Sequence, residues 1–256
     1  MGNACVLCTS QTRRDKIIWK PIPSLATKRK GFFISQHGTF LKQYACDESK
    51  ASTMGRSLRR VMDLPESPYV LKPIDYGYAE GVFYTVSPLM STDFYYIVEK
   101  APEWKVLDMH LTNIWRGMCF MHAHHIAHMD IKLENIVLDD KNHAMLIDFD
   151  FSVPFDDYKH RGTPNYAPPY ALTKTWSSHK AQRHDLYAFG RMILMIMRVY
   201  CKDIILYNVT MLWEQGVRER CSLLPCHLGQ YDKWYNVALQ CCSESAPVDV
   251  SEYHVS

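Results

Sequence analysis

Short apolar and aromatic runs, separated by turn residues, dominate the first third of the chain. Runs of this length that are rich in β-branched and aromatic side chains predict strands. They cover residues 17–20, 31–35, 39–46, 70–76 and 82–86. Between the second and third runs, Gln36-His37-Gly38 predicts a hairpin turn.

A helical spacing of apolar residues occurs once among these strands and is the main pattern after Ser91. Residues 49–64 carry Met54, Leu58 and Val61 at intervals of three and four, which predicts a helix. After Ser91 the same spacing recurs in longer segments. It predicts helices over residues 93–99, 106–125, 185–200, 210–220 and 231–241.

The order of these elements predicts an α+β protein with a small β-rich lobe followed by a larger α-rich lobe. We place a basic tail at residues 1–16 and the small lobe at 17–90. The large lobe then covers 91–242, and 243–256 form a flexible C-terminal tail.

Composition limits the classes of function. The chain has 256 residues, 47% of them apolar, and a net charge of +2, which predicts a globular protein and no nucleic-acid partner. Its nine cysteines are an odd number, and no apolar signal-peptide region follows Met1. We therefore predict reduced thiols and a cytoplasmic location.

The positive charge is concentrated at the N-terminus. Residues 1–30 contain seven Lys or Arg residues and one Asp, a net charge of +6, so the rest of the chain carries −4. Gly2 begins a partial match to the myristoylation pattern, and Cys5 and Cys8 could accept palmitate as the second signal that stable anchoring requires. Association with a membrane surface and a disordered basic tail stay open as alternatives.

One loop brings a carboxylate, a lysine and an amide close together. Asp130, Lys132 and Asn135 lie on it, and Asp148 follows the short apolar run at residues 145–147. Phosphoryl transfer requires positioned phosphates, metal-binding oxygens and a group that accepts the proton of the nucleophile. The pattern indicates an ATP-using enzyme or the descendant of one.

Four blocks resemble motifs of the eukaryotic-type protein kinase family, in the family's order. His128 to Asn135 resembles HRDLKxxN, Asp148-Phe149-Asp150 resembles DFG, Gly162 to Pro168 resembles GTPxYxAP, and Asp185 to Gly190 resembles DxWSxG. The resemblance covers residues 17–242. It implies a bilobal protein-kinase-like fold, with one main helix in the small β-rich lobe and a larger α-helical lobe.

The resemblance also implies roles for single residues. Asp130 would accept or orient the proton of the substrate hydroxyl, and Lys132 would steady the transferring phosphoryl group. Asn135 and Asp148 would bind Mg²⁺. Because Lys132 and Thr163 are similar to the Ser/Thr branch of the family, the implied activity is transfer of the ATP γ-phosphate to Ser or Thr hydroxyls of a protein substrate.

On the nucleotide side, Lys42 resembles the strand lysine that binds the α and β phosphates, although an ordinary solvent-facing lysine is the alternative. Leu89 and Met90 end a segment that resembles the hinge, whose backbone would hydrogen-bond adenine. The glycine-rich loop is largely absent. Gly31 aligns with its third glycine and Lys28 with its second, where side-chain charge could contact phosphate; a basic hairpin tip that never touches nucleotide is equally open.

Several positions depart from the family. Phe33 stands where a small β-branched residue covers adenine, and Phe40 replaces an alanine, so both would crowd the pocket. The glutamate that should pair with Lys42 is absent from residues 51–62. Met129 replaces an arginine that would bind a phosphorylated activation loop, which favours constitutive or partner-driven activity.

The closing segment also differs, because Pro169 stands where the family has a glutamate. The buried ion pair of that glutamate with a late arginine is therefore expected to be lost. A divergent, compact kinase results, similar to those of large DNA viruses. Two alternatives remain open: a pseudokinase that serves as a scaffold or binding module, and, more remotely, a phosphotransferase that acts on a small molecule.

Overall fold

The computed structural model of the chain describes residues 17–22, 30–158, 162–168, 180–200, 229, 232–243, 249–250, 253 and 255. The chain divides into two compact units. The first comprises residues 1–65 and 71–90, and the second comprises 66–70 and 91–256. The first unit is built on a sheet and the second is mainly helical, which confirms the predicted α+β class.

The first unit contains a five-stranded antiparallel sheet with the order β1-β2-β3-β5-β4. Its strands are β1 (Trp19–Pro21), β2 (Lys30–Ser35), β3 (Thr39–Ala45), β4 (Asp75–Ala79) and β5 (Val82–Pro88). The predicted turn between β2 and β3 is confirmed. Gly38 adopts φ +70° there, and its N–H donates to Ser35 O over 3.3 Å.

Helix α1 (Glu48–Met62) follows β3 and confirms the predicted helix. Asp47 caps its first turn by accepting from Lys50 N over 2.8 Å. At the other end, Lys72 Nζ donates to Leu64 O over 2.7 Å, just past the helix. The buried side of α1 comprises Ala51, Met54, Ser57, Leu58 and Val61.

The strand predicted over residues 70–76 is wrong for residues 70–74. β4 begins only at Asp75, and Val70 forms an isolated parallel bridge with Leu146 of the second unit. Leu146 N also donates to Tyr69 O over 2.9 Å, so residues 66–70 belong with the second unit. Pro73 lies between the two pieces, and proline cannot donate the ladder hydrogen bond that a continuous strand would need.

The second unit contains, among the residues described, four α-helices, two short 3-10 helices (Leu133–Asn135 and Phe149–Phe151) and two small sheets. The α-helices are α2 (Phe94–Glu99), α3 (Trp104–Ala123), α4 (Lys180–Tyr200) and α5 (Asp232–Cys241). The strands are β6 (Thr92–Asp93), β7 (Ile126–Ala127), β8 (Ile136–Leu138), β9 (Ala144–Leu146) and β10 (Val153–Pro154). They form a β6-β8-β9 sheet and a β10-β7 pair. The helix predicted at residues 210–220 lies outside the described residues.

Aromatic packing holds the helices of the second unit together. The ring of Phe189 on α4 lies 5.4 Å from Trp115 on α3 and 6.0 Å from Trp234 on α5. Trp234 Nε1 donates to Asp108 Oδ1 over 2.6 Å, and Tyr253 packs on Trp115 at 5.2 Å. No helix in the described part of the chain is long and apolar enough to span a membrane.

Candidate functional site

The loop after β7 is held in place by a carboxylate from α4. Asp185 accepts the backbone N–H of His128 and of Met129, each over 2.7 Å, and His122 Nε2 lies 3.0 Å from the same carboxylate. Burial raises the pKa of Asp185, but the hydrogen bond from His122 and the nearby histidines lower it more, so the net pKa is below its ordinary value. The ionised carboxylate therefore fixes the start of the loop.

His128 adopts one tautomer because both ring nitrogens have defined partners. Asp130 N donates to Nδ1 over 3.3 Å, so Nδ1 acts as the acceptor, and Nε2 donates to Ile147 O over 2.9 Å. The ring also packs against Phe149 at 5.2 Å. His128 thus connects the Asp130 loop to the segment that carries Asp148.

Asp130 receives hydrogen bonds from three side chains. Lys132 Nζ donates to Oδ2 over 2.7 Å, Asn135 Nδ2 to Oδ2 over 2.9 Å, and Thr163 Oγ1 to Oδ1 over 2.6 Å. Lys132 Nζ also donates to Thr163 Oγ1 over 2.9 Å. The structure therefore brings together Asp130, Lys132 and Asn135, as the motif predicts. It adds Thr163, which the sequence had marked only as a sign of substrate class.

Asp148 lies beside the same loop through the backbone. Ile147 N donates to Asn135 O over 3.0 Å, and Asp148 adopts a left-handed φ of +67°. Asn135 and Asp148 could each supply an oxygen ligand to a divalent metal, because the Asn135 amide nitrogen donates to Asp130 and leaves the amide oxygen as the second polar atom of that side chain. Mg²⁺ commonly binds one or two such groups and completes its shell with water and phosphate oxygens.

Met129 lies beneath the loop in an apolar cluster. It is fully buried with Ala127, Val153 and Ala181, and Phe151, Phe155 and Tyr158 pack around them. Burial raises the pKa of Tyr158 to about 12. The family's arginine at this position would bind a phosphorylated loop. Met129 instead makes an apolar contact between the Asp130 loop and the residues after Phe149.

In the first unit, strand register decides which residues share a face with Lys42. Lys42 on β3 lies opposite Phe32 on β2, and Phe40 lies opposite Ile34. Opposed residues in an antiparallel pair point to the same side of the sheet. Gly31 and Phe33 therefore occupy the other face, where Phe33 is buried with Leu41 and Val86.

This register changes the predicted adenine wall. Phe33 does not share the Lys42 face, whereas Ile34, a β-branched residue, does. Phe40 shares it as predicted and stacks on Phe32 with ring centroids 5.9 Å apart. Lys42 Nζ lies 4.7 Å from the ring centre of Tyr44. Lys28 lies outside the described residues.

The segment after β5, residues 89–90, has no charged side chain, so only its backbone groups could contact a nucleotide base. Ser87 lies opposite Phe40. Leu89 N donates to Gly38 O over 2.8 Å, so that N–H is already satisfied within the unit. Met90 makes no such backbone hydrogen bond in the described part of the chain, which leaves its N–H as the better candidate for contact with a base.

Comparison with known proteins matches most of the chain to one family. The family described as "Protein kinase domain" matches residues 40–235. A serine/threonine-protein kinase-like protein of Arabidopsis thaliana is 33% identical over 145 residues, 52% of this chain and 40% of the relative. The cAMP-dependent protein kinase type 3 of Saccharomyces cerevisiae is 24% identical over 62% of this chain and 41% of that protein.

A third relative, the dual serine/threonine and tyrosine protein kinase of Apis mellifera, is 25% identical over 153 residues. Those residues are 56% of this chain and 16% of the bee protein. The chain therefore spans less than half the length of the curated relatives it matches.

Proposed function

Because the chain belongs to the protein kinase family, we propose that it transfers the γ-phosphate of ATP to Ser or Thr hydroxyls of protein substrates. One observation carries this proposal. Asp130, Lys132, Asn135 and Thr163 form a closed hydrogen-bond network in which Asp130 is the shared acceptor. A buried carboxylate needs hydrogen-bond partners, and here those partners are side chains that the catalytic-loop and GTP-segment motifs place around the proposed base.

In the proposed reaction, Asp130 orients the substrate hydroxyl and accepts its proton. Lys132 contacts both Asp130 and Thr163, so its ammonium group neutralises charge on the side where the phosphoryl group would arrive. Asn135 holds Asp130 from the other side through the backbone and side-chain oxygens. The three residues therefore fix the base before the substrate binds.

Asn135 and Asp148 would hold Mg²⁺, which supplies charge neutralisation to the phosphates when it is bound. No cluster of three or more His, Cys, Asp or Glu side chains able to hold a metal occurs among the residues described here. Two protein ligands are sufficient when nucleotide phosphates complete the shell. Lys42 would bind phosphate, and Met90 N–H would contact adenine.

The second candidate is a pseudokinase that acts as a binding module. It is favoured by the Lys42 face, where Phe40 and Phe32 stack in the position that the family leaves open. No Glu occurs in residues 51–62, and Ser57 and Leu58, where the family resemblance would put that glutamate, are buried in α1. Both features would weaken nucleotide binding without changing the Asp130 network.

Incubation of the purified chain with Mg²⁺ and radiolabelled ATP, with casein as a generic substrate, separates the two. Incorporation of labelled phosphate into casein by the wild-type chain, and its loss in Asp130→Asn, would support the kinase. Absence of both phosphotransfer and nucleotide-induced thermal stabilisation supports the pseudokinase. Saturating nucleotide at a hundredfold excess over Kd would stabilise the fold by about 2.7 kcal/mol, which a melting curve detects.

The N-terminal anchor is a separate proposal that rests on sequence alone. Gly2, Cys5 and Cys8 lie outside the described residues. We propose that acylation there places a cytoplasmic kinase at a membrane surface. Gly2→Ala should abolish labelling by a myristate analogue and release the protein from the membrane fraction; unchanged labelling would refute the proposal.

A further inference from the structure

Arg191 is a buried cation on α4 to which the sequence patterns assigned no role. It is 4% exposed, and its Nε donates to the backbone oxygen of Asn165 over 3.0 Å. Within the described residues, its Nη1 is buried without a hydrogen-bond partner, and no carboxylate forms an ion pair with it. Burial of a guanidinium without an ion pair is costly, so the residue needs a compensating role.

The contact made by Arg191 lies on the turn that carries Thr163. Asn165 adopts a left-handed φ of +75°, and the N–H groups of Tyr166 and Ala167 both donate to Thr163 O, over 3.1 and 2.9 Å. The same turn starts at Gly162, where φ is +139° and an added Cβ would lie 2.7 Å from His184 Nε2. A charged donor at the Asn165 carbonyl therefore fixes a turn of uncommon backbone geometry.

The same helix holds the other half of the network. Asp185, six residues before Arg191 on α4, accepts the N–H groups of His128 and Met129 at the start of the Asp130 loop. Six helical residues span about 9 Å along the axis. One helix thus fixes the Asp130 loop through Asp185 and the Thr163 turn through Arg191. The distance between Asp130 and Thr163 depends on both contacts.

We propose that Arg191 is a positioning residue that replaces a lost carboxylate anchor and holds the 162–168 turn against the Asp130 loop. Pro169 stands where the family resemblance predicted a glutamate, so the turn needs a different attachment. The inference rests on the proposed function in one respect. If the chain is a kinase, the turn contributes to the protein-substrate site, and Arg191 sets the KM for that substrate.

Amide hydrogen exchange tests the anchoring without requiring activity. We expect Arg191→Met to increase exchange at Tyr166 and Ala167 by about 10-fold to 100-fold, since a hydrogen bond to a charged group is lost, while exchange at His128 and Met129 stays unchanged. Arg191→Lys, which keeps the charge and a donor, should show a smaller increase. Arg198→Met is the matched control, because Arg198 is exposed on the same helix.

Equal exchange at Tyr166 and Ala167 in Arg191→Met and Arg198→Met would overturn the proposal. So would an equal rise at His128 and Met129, because that result shows general loosening of the second unit. If Arg191→Met does not fold, Arg191→Lys becomes the deciding variant. It must still exchange faster than wild type at the turn alone.

Steady-state kinetics then test the link to substrate. We expect Arg191→Lys to raise the KM for casein several-fold and to leave the KM for ATP unchanged, whereas partial unfolding would lower only the maximal rate. An unchanged KM for casein would refute the link to substrate. Absence of phosphotransfer by the wild-type chain would refute the proposed function. The anchoring of the 162–168 turn by Arg191 would then be tested by hydrogen exchange alone.

Discussion

The Asp130 loop of the second unit and the Lys42 face of the first unit both carry candidate site residues, but they are built differently. The loop is polar, and Asp130 accepts from Lys132, Asn135 and Thr163. The Lys42 face is aromatic, with Phe32 stacked on Phe40 and Lys42 placed over Tyr44. The polar network depends on individual atoms, whereas the aromatic face depends on shape and volume.

This difference shows where the family's chemistry is most constrained. A buried carboxylate depends on its donors, because each one lost leaves its charge less well compensated. A surface that binds a flat base can change its side chains as long as the total volume and shape of the pocket are preserved. We therefore expect substitutions in the loop to be severe and substitutions on the Lys42 face to be mild or even beneficial.

The largest effect should come from the loop itself. Asp130→Asn removes the proton acceptor but keeps the side-chain volume, so we expect the phosphotransfer rate to fall by about three orders of magnitude, with little change in melting temperature. The matched control is Asp140→Asn, an exposed residue in the same unit. A mutant that keeps a tenth of wild-type activity would remove Asp130 from the mechanism.

The next effect concerns the apolar support under the loop. Met129→Arg places a charge among Ala127, Val153 and Ala181 in a fully buried site. We expect a loss of about 3 kcal/mol in the free energy of unfolding, measured by urea denaturation. Met129→Leu should cost less than about 1.5 kcal/mol. A stable arginine variant would show that this position still accepts a basic residue.

Acid should weaken the second unit through His110. Burial, and then the nearby His143, lower the pKa of His110 to about 4 from 6.5. Both ring nitrogens lack hydrogen-bond partners among the described residues, and the ring contacts Phe94 at 5.5 Å. As the pH falls, His110 takes up its proton at a higher pH in the unfolded chain than in the folded chain. The associated stability is therefore fully present above pH 6.5 and is lost as the pH falls towards 4.

The size of this loss should be roughly 2–3 kcal/mol between pH 6.5 and 4. His110→Leu should flatten this part of the pH profile of urea denaturation, whereas His37→Gln, an exposed residue of the first unit, should leave it unchanged. Identical profiles for wild type and His110→Leu would contradict the assignment.

The smallest effect is expected on the Lys42 face. Phe40→Ala removes the ring that stacks on Phe32 and opens the position that the family fills with alanine. If this ring limits access, the KM for ATP should fall about fivefold, equivalent to about 1 kcal/mol. Phe33→Ala, on the buried opposite face, should destabilise the sheet by about 3 kcal/mol without this gain. A raised KM in Phe40→Ala would show that the ring itself supports the nucleotide.

Much of the fold could be predicted because its signals are local. The spacing of Met54, Leu58 and Val61 predicted α1, and Gln36-His37-Gly38 predicted the turn after β2. The prediction failed at residues 70–74, because the predicted strand runs through Pro73 but β4 begins only at Asp75. Tertiary contacts with Leu146 decided that boundary.

The amino-acid sequence was sufficient to group Asp130, Lys132 and Asn135, because a short loop leaves few ways to arrange three nearby side chains. The folded chain was needed to show that Thr163 completes the network and that Asp185 and Arg191 support it, since these residues are far apart along the chain. It was also needed to assign the face of each β2 residue. A shift of one residue in alignment moves every side chain to the opposite side of a sheet, and the pairing of β2 with β3 fixes that register.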